Sequence, residues 1–92
     1  MERMNEIIEY INPSGEIKQH TFEEMETNFR WESCDEDFHI KCSQEESKIE
    51  MFKGKESIGT FKMEPRFYDS IMFRIHDEME MEGRIEETFL EL

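Results

Sequence analysis

The sequence predicts an α+β, β-dominated fold. The expected form is a small antiparallel meander of about six to seven short strands with one short helix near residues 21–30. Three observations lead there. Turn signals recur about every 8 to 12 residues. The runs between them alternate apolar and polar side chains. One segment, 21–31, opens with a helix-capping pattern and continues with apolar residues at helical intervals. The chain of 92 residues is one domain's length, and no linker, repeat or low-complexity stretch divides it, so a single domain over 1–92 is expected. Eight phenylalanines, two tyrosines and Trp31 supply large core side chains, which favours a folded chain although 38% of residues are charged.

At the N-terminus Met4, Ile7, Ile8 and Ile11 have helical spacing, but "NPSG" at 12–15 behind them is a hairpin turn, and a strand is the favoured reading. In "TFEEMETNFRW" (21–31), Thr21 stands three residues before Glu24, the spacing of a capping box. Phe22, Met25 and Phe29 then follow at helical intervals. "CDED" (34–37), "SQEES" (43–47) and "KGKES" (53–57) separate the runs "FHIKC" (38–42), "KIEMF" (48–52) and "SIGTFKM" (57–63). In the first run Phe38, Ile40 and Cys42 share one face of a strand, with His39 and Lys41 on the other. In the last the apolar parity slips between Ile58 and Phe61, and Gly59 suits a bulge there.

Segment 70–82 fits two periods. A helix would put Ile71, Ile75 and Met79 on one face but Phe73 and Met81 outward among acids. With period two, Ile71, Phe73, Ile75, Met79 and Met81 fall on one side, so a strand is predicted with Glu78, Glu80 and Glu82 on its solvent face. Gly83 ends or bends it, and "RIEETFLEL" reads as a last strand. The expected core contains Phe38, Ile40, Met51, Ile75, Met79 and Phe89.

Charge is the strongest functional clue. The net charge is −13, which disfavours nucleic acid and anionic membrane as direct partners and favours basic ones. The acid lies in two blocks: seven acids against Arg30 in 21–37, and nine against three arginines in 64–92. Between them, 38–63 holds four acids and five lysines. With so few bases in the acidic segments, local ion pairs do not account for the blocks. The candidate partner-binding residues are therefore Glu78, Glu80, Glu82 and Glu86 in the second block and Asp35, Glu36 and Asp37 in the first.

Other chemistries find little support. Cys34, His39 and Cys42, with His20 or His76 as a fourth ligand, lack the double pairing usual at zinc, so no metal and no cofactor is expected. "CDEDF" lacks the central glycine and terminal glutamate of a calcium loop. No phosphate loop, nucleophile elbow or zinc-protease motif is present, and the acids sit in exposed polar runs rather than in a desolvated pair, so no enzymatic activity is expected. No apolar run can span a bilayer, and "MERMNEIIEYIN" has acids where a signal peptide is apolar. A cytoplasmic protein with free thiols is the expectation, in the host cytosol if a phage encodes it.

In size, acidity and lack of catalytic motifs the chain is similar to small phage-encoded inhibitors that imitate DNA, anti-restriction and anti-CRISPR proteins among them. It is also similar to toxin-neutralising immunity proteins. No motif is shared with either, and no residue role is carried over. The functional expectation is a non-enzymatic acidic protein that inhibits a basic nucleic-acid-binding partner by imitating phosphate charge. The alternatives are an immunity protein and a structural or regulatory subunit whose acidity only keeps it soluble.

Overall fold

The computed structural model describes residues 8–88. Its elements are β1 (Ile8–Ile11), β2 (Ile17–His20), α1 (Phe22–Glu32), β3 (Phe38–Ser43), β4 (Lys48–Lys53), β5 (Glu56–Lys62), α2 (Pro65–Glu78) and β6 (Ile85–Thr88). Six strands form one sheet in the order β2-β1-β5-β4-β3-β6. The β3–β4–β5 meander and the β1–β2 hairpin are as the sequence predicts. The sheet is mixed, however, because β6 joins β3 in parallel.

That pairing decides where the helices lie. Counting antiparallel steps across the sheet makes β2 parallel to β3, and β5 parallel to both β3 and β6. Both helices are therefore crossovers between parallel strands, and both cross in the same direction. Right-handed crossovers then put α1 and α2 on one face of the sheet. Burial agrees: Met25 and Phe29 of α1 and Tyr68, Ile71, Met72 and Ile75 of α2 share one core with Ile8, Phe38, Ile40, Cys42, Ile49, Met51 and Phe61. The Phe29 ring lies 5.4 Å from Phe61 and 6.4 Å from Phe38, at tilted angles that suit aromatic packing. Among the described residues no helix covers the opposite face of the sheet.

The capping box of α1 forms as the spacing predicts. Thr21 Oγ1 accepts from Glu24 N (3.1 Å), and Thr21 N donates to Glu24 Oε1 (2.7 Å). The parity slip in "SIGTFKM" is a register shift between Met51 and Phe52 that leaves Ile58 without a partner on β4. Gly59 beside it has φ +144°, and a Cβ there would stand 2.4 Å from the Tyr10 ring. Tyr10 covers that bare backbone and donates from its hydroxyl to Ile58 O (2.8 Å).

Segment 70–82 is not a strand. Residues 65–78 form the 14-residue helix α2, with Pro65 at its first position, where a missing N–H costs nothing. Two facts remove the objection to a helix. Phe73 does point outward, 64% exposed, and the core tolerates its loss because Tyr68, Ile71, Met72 and Ile75 suffice. Met81 is not on the helix at all: α2 ends at Glu78, and residues 79–84 turn back so that Met79 and Met81 are both buried. Of the expected core, Phe38, Ile40, Met51, Ile75 and Met79 are buried, and Phe89 lies outside the described residues. No described helix is long and apolar enough to cross a membrane.

Candidate acidic docking surface

Because β3 and β6 are parallel neighbours, the loops that enter them, 33–37 and 79–84, emerge side by side at one end of the sheet. Those loops hold five of the seven sequence candidates, Asp35, Glu36, Asp37, Glu80 and Glu82, and Glu78 directly precedes the second. Arg84 joins them. Its guanidinium donates to Asp35 O (2.9 Å) and Ser33 O (3.3 Å) on the first loop, to Phe38 O (3.4 Å) at the start of β3, and to Glu80 O on the second loop. The backbone adds Ile40 N to Arg84 O at 3.0 Å. Both helices also end here, so the negative ends of their dipoles add to the field.

Residues 32–37 and 77–84 bring eight carboxylates to this end. Glu36, Glu78 and Glu80 line a groove of about 630 Å³ together with Arg30, Cys34 and Arg84. Glu82 stands exposed on the adjoining hollow, which it shares with Glu80 and His76. Asp35 accepts from Asp37 N (2.8 Å) and faces Lys53 Nζ at 3.8 Å, and Asp37 is exposed with its carbonyl held by Gly54 N (3.0 Å). The acids are thus gathered, but not as a strand row. Glu78 is the last residue of α2, whereas Glu80 and Glu82 lie in the loop. Glu86 is not brought to the site: it is paired in register with Lys41 on the open face of the sheet.

Glu78 is also engaged. Arg30 Nη2 donates to it and, at 2.9 Å, to Glu26 Oε2, while Arg74 Nη1 reaches both Glu26 oxygens at 2.9 and 2.8 Å. Only 16% of the Glu26 side chain is exposed. Burial opposes its ionisation, but the Arg74 and Arg30 guanidinia outweigh that and hold its carboxyl below the usual range. Glu26, Arg30, Arg74 and Arg84 were not singled out from the sequence. The i,i+4 spacing of Glu26 and Arg30 was a usable signal. For Arg84 there was none, since the acceptors on the first loop and at the start of β3 are carbonyls 46 to 51 positions away.

The cysteines and histidines are dispersed. Cys34 is exposed on the groove wall, and Cys42 is buried, with burial pushing its thiol up to about 12. His39 lies on the open face, stacked on Phe52 with ring centroids 5.2 Å apart. Among the described residues no group of three or more His, Cys, Asp or Glu is arranged to hold a metal ion.

The open face is balanced where the helical side is not. Across its strands Glu86, Lys41 and Glu50 stand in register, alternating in sign. Lys48 and Lys62 add positive charge nearby. What the acidic end offers is a wet, anionic groove between two tied loops. No protein-family model matches the chain, and no curated protein and no solved structure matches it either.

Proposed function

We propose that this is a non-enzymatic binding protein that inhibits a basic, nucleic-acid-binding partner by presenting its acidic end in place of phosphates. One observation carries the reading: two acidic blocks far apart in sequence converge in the helical layer and its loops, while the lysine-rich centre forms the open sheet face. Solubility alone does not require such a division. What is imitated is charge density rather than phosphate spacing, because the acids occupy loops and a helix end. Lysines and arginines of the partner would be drawn in quickly from a distance, and salt would slow them. The proposed setting is the cytosol, where both nucleases and nucleic-acid-binding enzymes work.

The test is capture on the immobilised protein from a host lysate in low and high salt, followed by competition. A labelled duplex bound to the captured protein should be released by this protein, less so as salt rises. Capture of a nuclease toxin would favour the immunity alternative. If no basic protein is retained at low salt, the reading fails.

A further inference from the structure

A second groove runs along the flank of α1 that faces β2, and its Trp31 end adjoins the acidic end. It measures about 380 Å³ and is lined by His20, Glu23, Glu24, Thr27, Asn28 and Trp31. Its residues on α1 recur at i, i+4 and i+8, so they form one helix face; the core-facing Met25 and Phe29 are on another. Trp31, the only tryptophan of the chain, is 80% exposed there. A tryptophan contributes more to stability buried than wet, and the fold leaves this one out although the core takes smaller aromatics.

Two polar atoms of residues that line this groove are also unsatisfied. Asn28 Oδ1 and His20 Nδ1 are buried yet have no hydrogen-bond partner among the described residues. The nearest carboxylate to His20 Nδ1 is Glu24 Oε1, at 3.9 Å, too long for a hydrogen bond. A buried acceptor without a donor costs on the order of 1–3 kcal/mol, and a turn of the half-buried Asn28 side chain toward the groove would present its Oδ1 to a donor from outside. Among the described residues no lysine or arginine pairs with Glu23 or Glu24.

We propose that this groove anchors an arginine side chain of a basic protein partner. A guanidinium stacks on the tryptophan face. Its fork of N–H donors supplies Asn28 Oδ1 once that side chain turns toward the groove, and its charge meets Glu23 and Glu24. Lysine, a compact and strongly hydrated charge, fits the flat aromatic wall less well. The proposal rests on the reading of a basic partner and names one side chain by which that partner is held, in a groove whose lining residues differ from those of the acidic groove.

Trp31 emission reports directly on occupancy. The probe is a capped pentapeptide with one arginine between glycines, compared with the same peptide carrying lysine or norleucine, in about 0.15 M salt, where charges beyond ~8 Å are screened. The arginine peptide should change the emission saturably, with a half-saturation at least about fivefold lower than the norleucine peptide, and lysine between them. Asn28→Leu should lose most of that preference. The Glu36→Lys, Glu80→Lys, Glu82→Lys variant, altered only at the acidic end, should keep it within about twofold. Equal binding of norleucine would make the groove merely apolar and overturn the proposal. Loss of the arginine preference in the acidic-end variant would move the site elsewhere and overturn it as well. A positive peptide result with no basic protein captured would leave the anchor standing and remove the inhibitor reading.

Discussion

The acidic end and the open sheet face treat their charges in opposite ways. On the sheet, Glu86, Lys41 and Glu50 sit across from one another in register, so each carboxylate there has a neighbouring base. At the acidic end, eight carboxylates in residues 32–37 and 77–84 meet the guanidinia of Arg30 and Arg84 and the ammonium of Lys53. Moreover, Arg84 spends its hydrogen bonds on carbonyls rather than on carboxylates. It ties the two loops together and leaves their acids facing water. The bases near the acidic end thus hold loop backbone and neighbouring acids, whereas Glu36, Glu80 and Glu82 stand exposed.

Substitutions should separate the two roles. The largest effect is expected at Arg84. Arg84→Ala removes a charged donor shared by carbonyls of both loops and should cost about 2–3 kcal/mol in chemical denaturation. A cost within experimental error would mean that the loops are held by β3–β6 pairing alone. Next comes Glu26, between Arg30 and Arg74. Glu26→Gln should cost about 1.5 kcal/mol at neutral pH. Because the folded-state carboxyl is held below the ordinary value of 4.5, this contribution is complete above that value and is lost as pH falls through the folded one. Protonation of the other acids relieves self-repulsion in both proteins alike. The stability gap between wild type and variant should therefore close below about pH 4.5, and a gap that widens on acidification would reverse the assignment.

A smaller effect is expected on the sheet. Lys41→Glu puts like charges opposite each other where Glu86 and Glu50 flank the position, at a cost of about 1 kcal/mol. The smallest effect belongs to the acidic end itself. Reversing Glu36, Glu80 and Glu82 together to lysine should change stability by no more than about 0.5 kcal/mol, or raise it. If that variant were instead the most destabilised of the four, the excess acid would be structural.

Much of this arrangement is legible in the residues. The alternation of Phe38, Ile40 and Cys42, the Thr21–Glu24 capping box and the parity slip at Gly59 each specify a local geometry, and each forms. Segment 70–82 is different because Ile71 and Ile75 satisfy periods of two and of four at once. Phe73 and Met81 favour the strand, but Met81 lies past the end of α2 and the exposure of Phe73 on α2 is a choice made by tertiary packing. Pro65 was the overlooked signal, since it favours a helix start. For the site, the acidity of both loops was plain from composition. Their adjacency was not, because it depends on β6 entering the sheet parallel to β3, a pairing that no local pattern encodes. Glu86 follows the same logic in reverse: near Glu82 in sequence, it stands on the other face because β6 alternates.

The central claim is that the acidic end, and not the sheet face or the overall charge, engages the partner. The direct measurement is the association rate of the captured partner with wild type, with the Glu36→Lys, Glu80→Lys, Glu82→Lys variant and with a variant reversed at three exposed acids elsewhere, Glu9, Glu45 and Glu56. The two variants share one net charge, so long-range attraction is matched between them. The account predicts that the acidic-end variant associates at least about tenfold more slowly than the other at low salt, with the difference shrinking as salt rises. Equal rates for the two variants would contradict it and reduce the acid to a solubilising charge.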